Sequence, residues 1–385
     1  MNDQRKQGSG SVPSHRAAPR VAVIGGGFAG LSCARELHLR GHHPVVFEAS
    51  GRLGGRASSL DTRIGCFDDG AQTITGESQL AAYAAQRPGE LPATHPWTVP
   101  ATAAEDENKG PDRDRDVDEA LLTRTLKPLG LVGVPSMRAL ANAVARPLEV
   151  RLNTPIHHAR RRGASWVLHD AVGERHEDFQ ALVLAIPAPF AQPLAGESPL
   201  LAAALQAVHY RSRWVLLLGT ERPVGLPGYR EFQGSPIERV AAMHSKPGRS
   251  AAVPQRWFIE ADERWSLQHE HDNAETVSDL LLDIFCAHAG RSVTPNFLRA
   301  RQWRHAFVQT PVAALGQSEY LWDEAVQLGV CGDSVVASQV DRVHRSGVAL
   351  AARIAESPVA RREQTLVRPP LHNARDTFEA QAVHS

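Results

Sequence analysis

At 385 residues, with 42% apolar and 22% charged side chains, the chain has an ordinary globular make-up and is long enough for two or three domains. Its 42 basic and 42 acidic side chains cancel, so bulk charge favours neither nucleic acid nor an anionic membrane. No apolar run approaches the ~20 residues that span a bilayer. The cysteines Cys33, Cys66, Cys286 and Cys331 form no C-x-x-C, which argues against a zinc site or redox dithiol and suits a reducing, cytoplasmic compartment.

Residues 1–19 are polar and aperiodic, without the apolar stretch of a secretory signal, and read as a disordered tail. Order begins at Val21-Ala-Val-Ile-Gly-Gly-Gly-Phe-Ala-Gly30. The β-branched apolar run predicts a buried parallel strand, and Gly25, Gly27 and Gly30 complete the G-x-G-x-x-G of a dinucleotide-binding βαβ unit. The first glycine allows a tight turn, the second lets backbone approach a pyrophosphate, and the third lets helix lie on strand. Phe28 and Ala29 stand between them, at a helix N-terminus whose free N–H groups suit phosphate. Leu31, Ala34 and Leu37 share one helical face, Gly41 ends the helix, and Val45-Val46-Phe47 is the second strand. Glu48 follows, where an acidic side chain accepts from ribose hydroxyls.

Residues 86–118 hold Pro88, Pro92, Pro96, Pro100 and a run of alternating charge, and read as a solvated loop in which only Trp97 is a candidate to enter a cavity. Order is expected again at Val132, with a helix opened by Pro135-Ser136 and running to Ala145. Strands are predicted at Glu149–Asn153, Trp166–His169 and Leu182–Ile186, the last stopped by Pro187. Arg160-Arg-Arg162 before Gly163 reads as a hairpin tip. Arg213–Gly219 and Arg256–Glu260 suggest an antiparallel sheet, and Glu275–His288 an amphipathic helix. Val326–Cys331 should be a strand running into Gly332-Asp333, and Gly347–Ile354 a closing helix. Trp303 and His305 alternate with Gln302 and Arg304 and so share a strand face.

The segment Glu48-Ala49-Ser-Gly-Arg52-Leu-Gly-Gly55-Arg56 is similar to that of flavoproteins of the amine-oxidase and renalase type, in which glycines pass beneath the cofactor while arginines face phosphate oxygens. Phe67-Asp-Asp-Gly-Ala71-Gln72, Val132-Gly-Val-Pro-Ser-Met137, Trp257 through Trp265-Ser266, Arg301-Gln-Trp-Arg-His-Ala306 and Cys331-Gly-Asp333 carry the likeness further. Taken together, the chain resembles bacterial renalase-like NAD(P)/FAD-dependent oxidoreductases of the amine-oxidase superfamily, over about residues 21–354. The resemblance implies non-covalent FAD on Gly25, Gly27, Phe28, Ala29, Gly30, Glu48, Ala49, Arg52, Gly55, Arg56, Ala71, Gln72, Gly332 and Asp333, with no metal.

The implied fold class is α/β: a Rossmann-type FAD-binding domain with a parallel sheet, plus an inserted α+β substrate domain with an antiparallel sheet. The first would comprise 20–75, 136–190 and 296–357, and the second 76–135 and 191–295, with a C-terminal tail over 358–385. The implied partners are a small-molecule reductant of the dihydronicotinamide type, which gives a hydride to flavin N5, and dioxygen, which leaves as hydrogen peroxide. Gln72, Trp303, His305 and Arg342 are the candidate catalytic residues. The family's His and Tyr around Gly-Ala-Gln are Asp69 and Thr73 here, and its C-terminal Gly-Ala is Arg342-Val343. Arg342 is therefore expected either to crowd the flavin or to face its N1–C2=O. An amine oxidase and a non-catalytic flavin-binding protein stand as the alternatives.

Overall fold

A computed structural model describes residues 18–74, 80, 94–100, 126–249, 254–312 and 318–357. The expected tails over 1–17 and 358–385, and the charge run within 101–125, lie outside the described residues. The central sheet has six strands in the order β17-β18-β11-β1-β2-β7. These are β1 (Arg20–Ile24), β2 (His43–Phe47), β7 (Glu149–Arg151), β11 (Ala181–Leu184), β17 (Leu321–Asp323) and β18 (Leu328–Val330). All neighbours pair parallel except β17, which runs antiparallel at the edge. Val21, Val23, Ile24 and all of β11 are buried, as expected of strands covered on both faces.

One cover is the first helix, Phe28–Leu39, and beside it lies the last, Val340–Glu356. They cross closely at Gly347, where a Cβ would overlap the Ala29 carbonyl oxygen. The last helix starts at Val340 rather than at the expected Gly347. The polar Val340–Ser346 stretch is helical because His344 and Ser346 turn inward to hydrogen-bond partners: Ser32 Oγ lies 2.8 Å from His344 Nδ1, and Ser346 Oγ accepts from Gly332 N at 2.9 Å.

A second sheet, antiparallel throughout, has the order β13-β14-β15-β12-β16. Its strands are β12 (Tyr210–Thr220), β13 (Tyr229–Glu231), β14 (Ile237–Ala242), β15 (Gln255–Ala261) and β16 (Pro295–Val308). Alternation decides its two faces. Trp214, Leu216, Leu218, Trp257 and Ile259 pack under the helix Ala274–Ala289 through Val277, Leu281 and Phe285. Arg213, Val215, Phe258 and Glu260 face the opposite way, toward the parallel sheet's ligand crevice. The boundary expected at 296 grouped β16 with the dinucleotide-binding part, yet its backbone pairs with β12 from Tyr210↔Val308 onward, in the antiparallel sheet.

Smaller antiparallel units complete the chain: β8 (Ile156–Arg162), β9 (Ser165–Asp170) and β10 (Arg175–Phe179) form one, and β3 (Ser59–Thr62) with β4 (Gly65–Asp68) another. The stretch read as a solvated loop contains β5 (Thr94–Pro100), which pairs with β6 (Leu126–Gly133). Its two prolines, Pro96 and Pro100, and its polar alternation hide a strand whose inward residues are Trp97 and Val99, both buried. Among the described residues, no helix is long and apolar enough to cross a membrane.

Candidate active site

A cavity of about 1240 Å³ opens at the carboxyl ends of β1, β2 and β11 and runs to the charged face of the antiparallel sheet. Such a crevice is where an open α/β sheet holds its ligand. It exceeds the ~300–1,000 Å³ usual for a single small ligand, so a dinucleotide leaves a chamber for a second molecule.

The glycine turn forms its narrow end. Gly25 has φ 114° and its N–H donates to Phe47 O at 2.8 Å. A Cβ there would come within 2.5 Å of Ala185 O, and one on Gly30 would overlap the Gly25 carbonyl oxygen. At Gly27, by contrast, a Cβ meets nothing within 4 Å, because that position faces the cavity. Gly27, Phe28 and Ala29 thus offer bare backbone at a helix N-terminus. Glu48 also lines the cavity; its Oε2 accepts from Gly26 N at 2.8 Å and its Oε1 from Ser50 N at 2.8 Å. This cradle fits the adenosine and pyrophosphate of FAD.

Arg52 and Arg56 reach the same space from a segment anchored by Gly54 N to Gly26 O at 2.9 Å. Arg52 donates to Asp69 Oδ2 at 3.2 Å; Arg56 is ion-paired with Asp333 and donates to His305 O at 3.0 Å. Asp333 accepts in addition from Ser338 Oγ at 3.0 Å and Tyr210 OH at 3.4 Å. Gly332, with φ 111°, swings the chain from β18 into this position.

The cavity brings together Gly25, Gly27, Phe28, Ala29, Glu48, Ala49, Arg52, Gly55, Arg56, Ala71, Gln72, Trp303, His305, Gly332 and Asp333. Gly30 packs beneath it instead. Trp303 donates from its indole to Asp69 O at 2.8 Å, and the Arg301 guanidinium stacks 3.6 Å from its ring centroid. His305 meets Phe190 and Tyr210 edge-on; burial and the neighbouring Arg56 push its pKa down, which keeps the ring neutral at physiological pH.

One catalytic candidate, Arg342, needs correction, and a second, Gln72, is held by its own turn. Arg342 does not line the cavity: it is exposed on the last helix, whose phase turns Val340 and Val343 inward and Arg342 out. Gln72 lines the cavity, but its amide is already committed. Nε2 donates to Asp68 O at 2.8 Å and Gly70 O at 2.7 Å, and Oε1 accepts from Lys246 Nζ at 2.8 Å. Its amide thus holds its own turn while the residue lines the cavity.

Trp97 lines the chamber as its sequence context suggested, whereas sequence reasoning missed the rest of this wall: Arg213, Tyr229, Arg239, Phe258 and Glu260. Trp97 and Tyr229 stand edge to face, 5.6 Å apart at 85°, and Arg239 donates to Glu260 at 2.7 Å. It also missed Asp68, Lys246 and Arg249. Burial alone would raise the Asp68 carboxyl; Lys246 at 2.9 Å, Arg249 at 2.6 Å and the Met137 amide outweigh it and hold the carboxyl down at about 2. The Lys246-Pro-Gly-Arg249 turn, two cations at a sharp bend after an apolar strand, was the available signal.

A dinucleotide-binding α/β domain with a second, antiparallel wall over the ligand crevice is the architecture of a flavin-binding protein. Residues 115–355 match the family described as flavin-containing amine oxidoreductase, and 23–86 the NAD(P)-binding Rossmann-like domain. The chain belongs to the flavin-containing amine oxidoreductase family. Its N-terminal part is 42% identical over 67 residues to mitochondrial protoporphyrinogen oxidase of Nicotiana tabacum, covering 17% of this chain and 13% of that one. It is 41% identical over 75 residues to human peroxisomal N(1)-acetyl-spermine/spermidine oxidase, covering 19% and 15%. The chain therefore matches well under a fifth of the length of these relatives. Among solved structures, a redesigned putrescine oxidase superposes with a TM-score of 0.67 at 14% identity, covering 89% of this chain and 99% of that one. Cyclohexylamine oxidase from Brevibacterium oxydans IH-35A gives 0.64 at 13%, covering 89% and 99%. At such identity these share the fold.

Proposed function

We propose that this oxidoreductase takes a hydride from a small dihydronicotinamide-type substrate, NAD(P)H or an isomer of it. When bound, FAD supplies the two-electron acceptor and a route for the electrons to dioxygen, giving hydrogen peroxide. The observation that carries the choice of donor is the charge of the chamber. Beyond the residues assigned to the cofactor, its wall presents Arg213, Arg239, Arg301, Arg304 and Lys127 against Glu231 and Glu260. Arg213 and Arg239 are paired with Glu260, and Arg301 with Asp69, so the wall offers guanidinium N–H donors already held in place by carboxylates, an arrangement that suits a substrate bearing phosphate. Val215 and Phe258 supply an apolar floor, and Trp303 a flat one. A hydride donor needs alignment more than a strong base, which suits walls of this kind.

One observation favours an amine instead: the Trp97–Tyr229 pair, with Glu231 hydrogen-bonded to the Tyr229 hydroxyl, offers an aromatic corner with a carboxylate for a cation. Anaerobic stopped-flow mixing separates the two. Flavin bleaching by reduced nicotinamides or their isomers, and not by mono- or polyamines, is the expected outcome. Bleaching by amines alone overturns the proposal, and bleaching by neither returns the chain to a flavin-binding role.

A further inference from the structure

The cluster behind the chamber wall has a composition that packing alone does not require. The Lys246 side chain is wholly buried, and its Nζ donates to Asp68 Oδ2 at 2.9 Å, Gln72 O at 3.1 Å and Gln72 Oε1 at 2.8 Å. Three acceptors at these distances need three N–H donors, which only the charged ammonium has. Arg249, also buried, binds the same Asp68 oxygen at 2.6 Å and spends its other bonds on Gly133 O and Pro247 O. Asp68 Oδ1 is occupied by Ser59 Oγ at 2.7 Å and Met137 N at 3.0 Å. Among the described residues two cations thus share one carboxylate, and one positive charge is left over in a buried place.

That charge sits directly behind two residues that line the cavity. Gln72 is on one side of the ammonium and the Trp97 ring is on the other, its centroid 5.0 Å from Nζ. Gln72 belongs to the turn Gly70–Gln72, whose backbone is tied to Arg56 through Ala71 N to Arg56 O at 2.8 Å. The same cation that clamps the turn therefore points its field through the wall, across buried side chains where screening is weaker than in bulk water.

We propose that Lys246 is a positioning residue of the flavin site: it fixes the Gly70–Gln72 turn through Gln72, and its unneutralised charge raises the reduction potential of the bound FAD. A cation near the ring favours the two-electron reduced form, which carries more negative charge than the oxidised one. This holds whichever donor the chamber accepts.

The test is the midpoint potential of the purified holoprotein, measured by dye equilibration, with FAD content quantified in each sample. Lys246→Met should lower the potential, and Lys246→Arg, which keeps the charge, should leave it near that of the parent. A Lys246→Met holoprotein with the parental potential overturns the proposal, because a role confined to packing would move stability and FAD retention but not the potential. Should Lys246→Met give no folded holoprotein, Arg249→Met decides. It removes the other cation without touching Gln72, so a lowered potential supports the proposal and an unchanged one refutes it.

Discussion

The indole N–H of Trp303 donates to the carbonyl of Asp69 at 2.8 Å, joining the long strand β16 to the turn that follows β4. That bond helps register the antiparallel wall against the cofactor-holding part, alongside the Arg301–Asp69 pair and the Arg56 bond to His305 O; Asp69 is fully buried and also pairs with Arg52. Trp303→Phe keeps a ring in place but orphans the carbonyl. A loss of about 1–3 kcal/mol in unfolding free energy is expected, read by chemical denaturation. An unchanged midpoint would mean that water replaces the indole.

Two glycines of one motif should behave oppositely. Gly30→Ala forces a methyl into the Gly25 carbonyl and should destabilise the protein by about 1–3 kcal/mol, visible as a lower thermal midpoint without added FAD. Gly27→Ala meets open space and should leave that midpoint unchanged while weakening FAD uptake, because its methyl occupies the ligand's place. Equal effects of the two on stability would contradict this division.

Glu48→Ala removes a carboxylate that faces the cavity and orders Gly26 and Ser50. Charge-assisted bonds to a ribose contribute about 1.5–3 kcal/mol, so FAD should bind roughly tenfold or more weakly. Titration of apoprotein with FAD measures it, and parental affinity would place the ribose elsewhere.

Asp68 sets an acid limit. Its folded carboxyl lies at about 2, below the ordinary 3.8, so its stabilisation is complete above roughly pH 4 and is lost as pH falls through 2. At neutral pH Asp68→Asn leaves Lys246 and Arg249 without a counter-charge, and a loss of about 3–5 kcal/mol is expected. The gap between variant and parent should close as pH drops from 4 toward 2. A gap that stays constant across that window would remove Asp68 from the acid transition.

Arg342→Ala should change stability by less than about 0.5 kcal/mol and leave the flavin potential where it was, because the side chain is exposed and off the cavity. A shifted potential would show that the guanidinium reaches the ring after all.

Local pattern alone determined the strand–glycine–helix unit that binds a dinucleotide, and the resemblance carried by Glu48, the Arg52–Arg56 segment and the Gly332-Asp333 turn implied which one. Each depends on neighbours within a few residues, where steric limits on backbone and the period of side chains leave little choice. The amphipathic helix over Ala274–Ala289 was legible for the same reason. Tertiary structure decided the rest. Whether Arg342 or Val343 faces the cavity depends on helix phase, which Gly347 sets by its contact with Ala29. Trp97 is buried because β6 arrives to pair with its polar strand. The ammonium that takes up the Gln72 amide lies 174 residues away, and an interaction brought about by packing two sheets leaves no period in the chain.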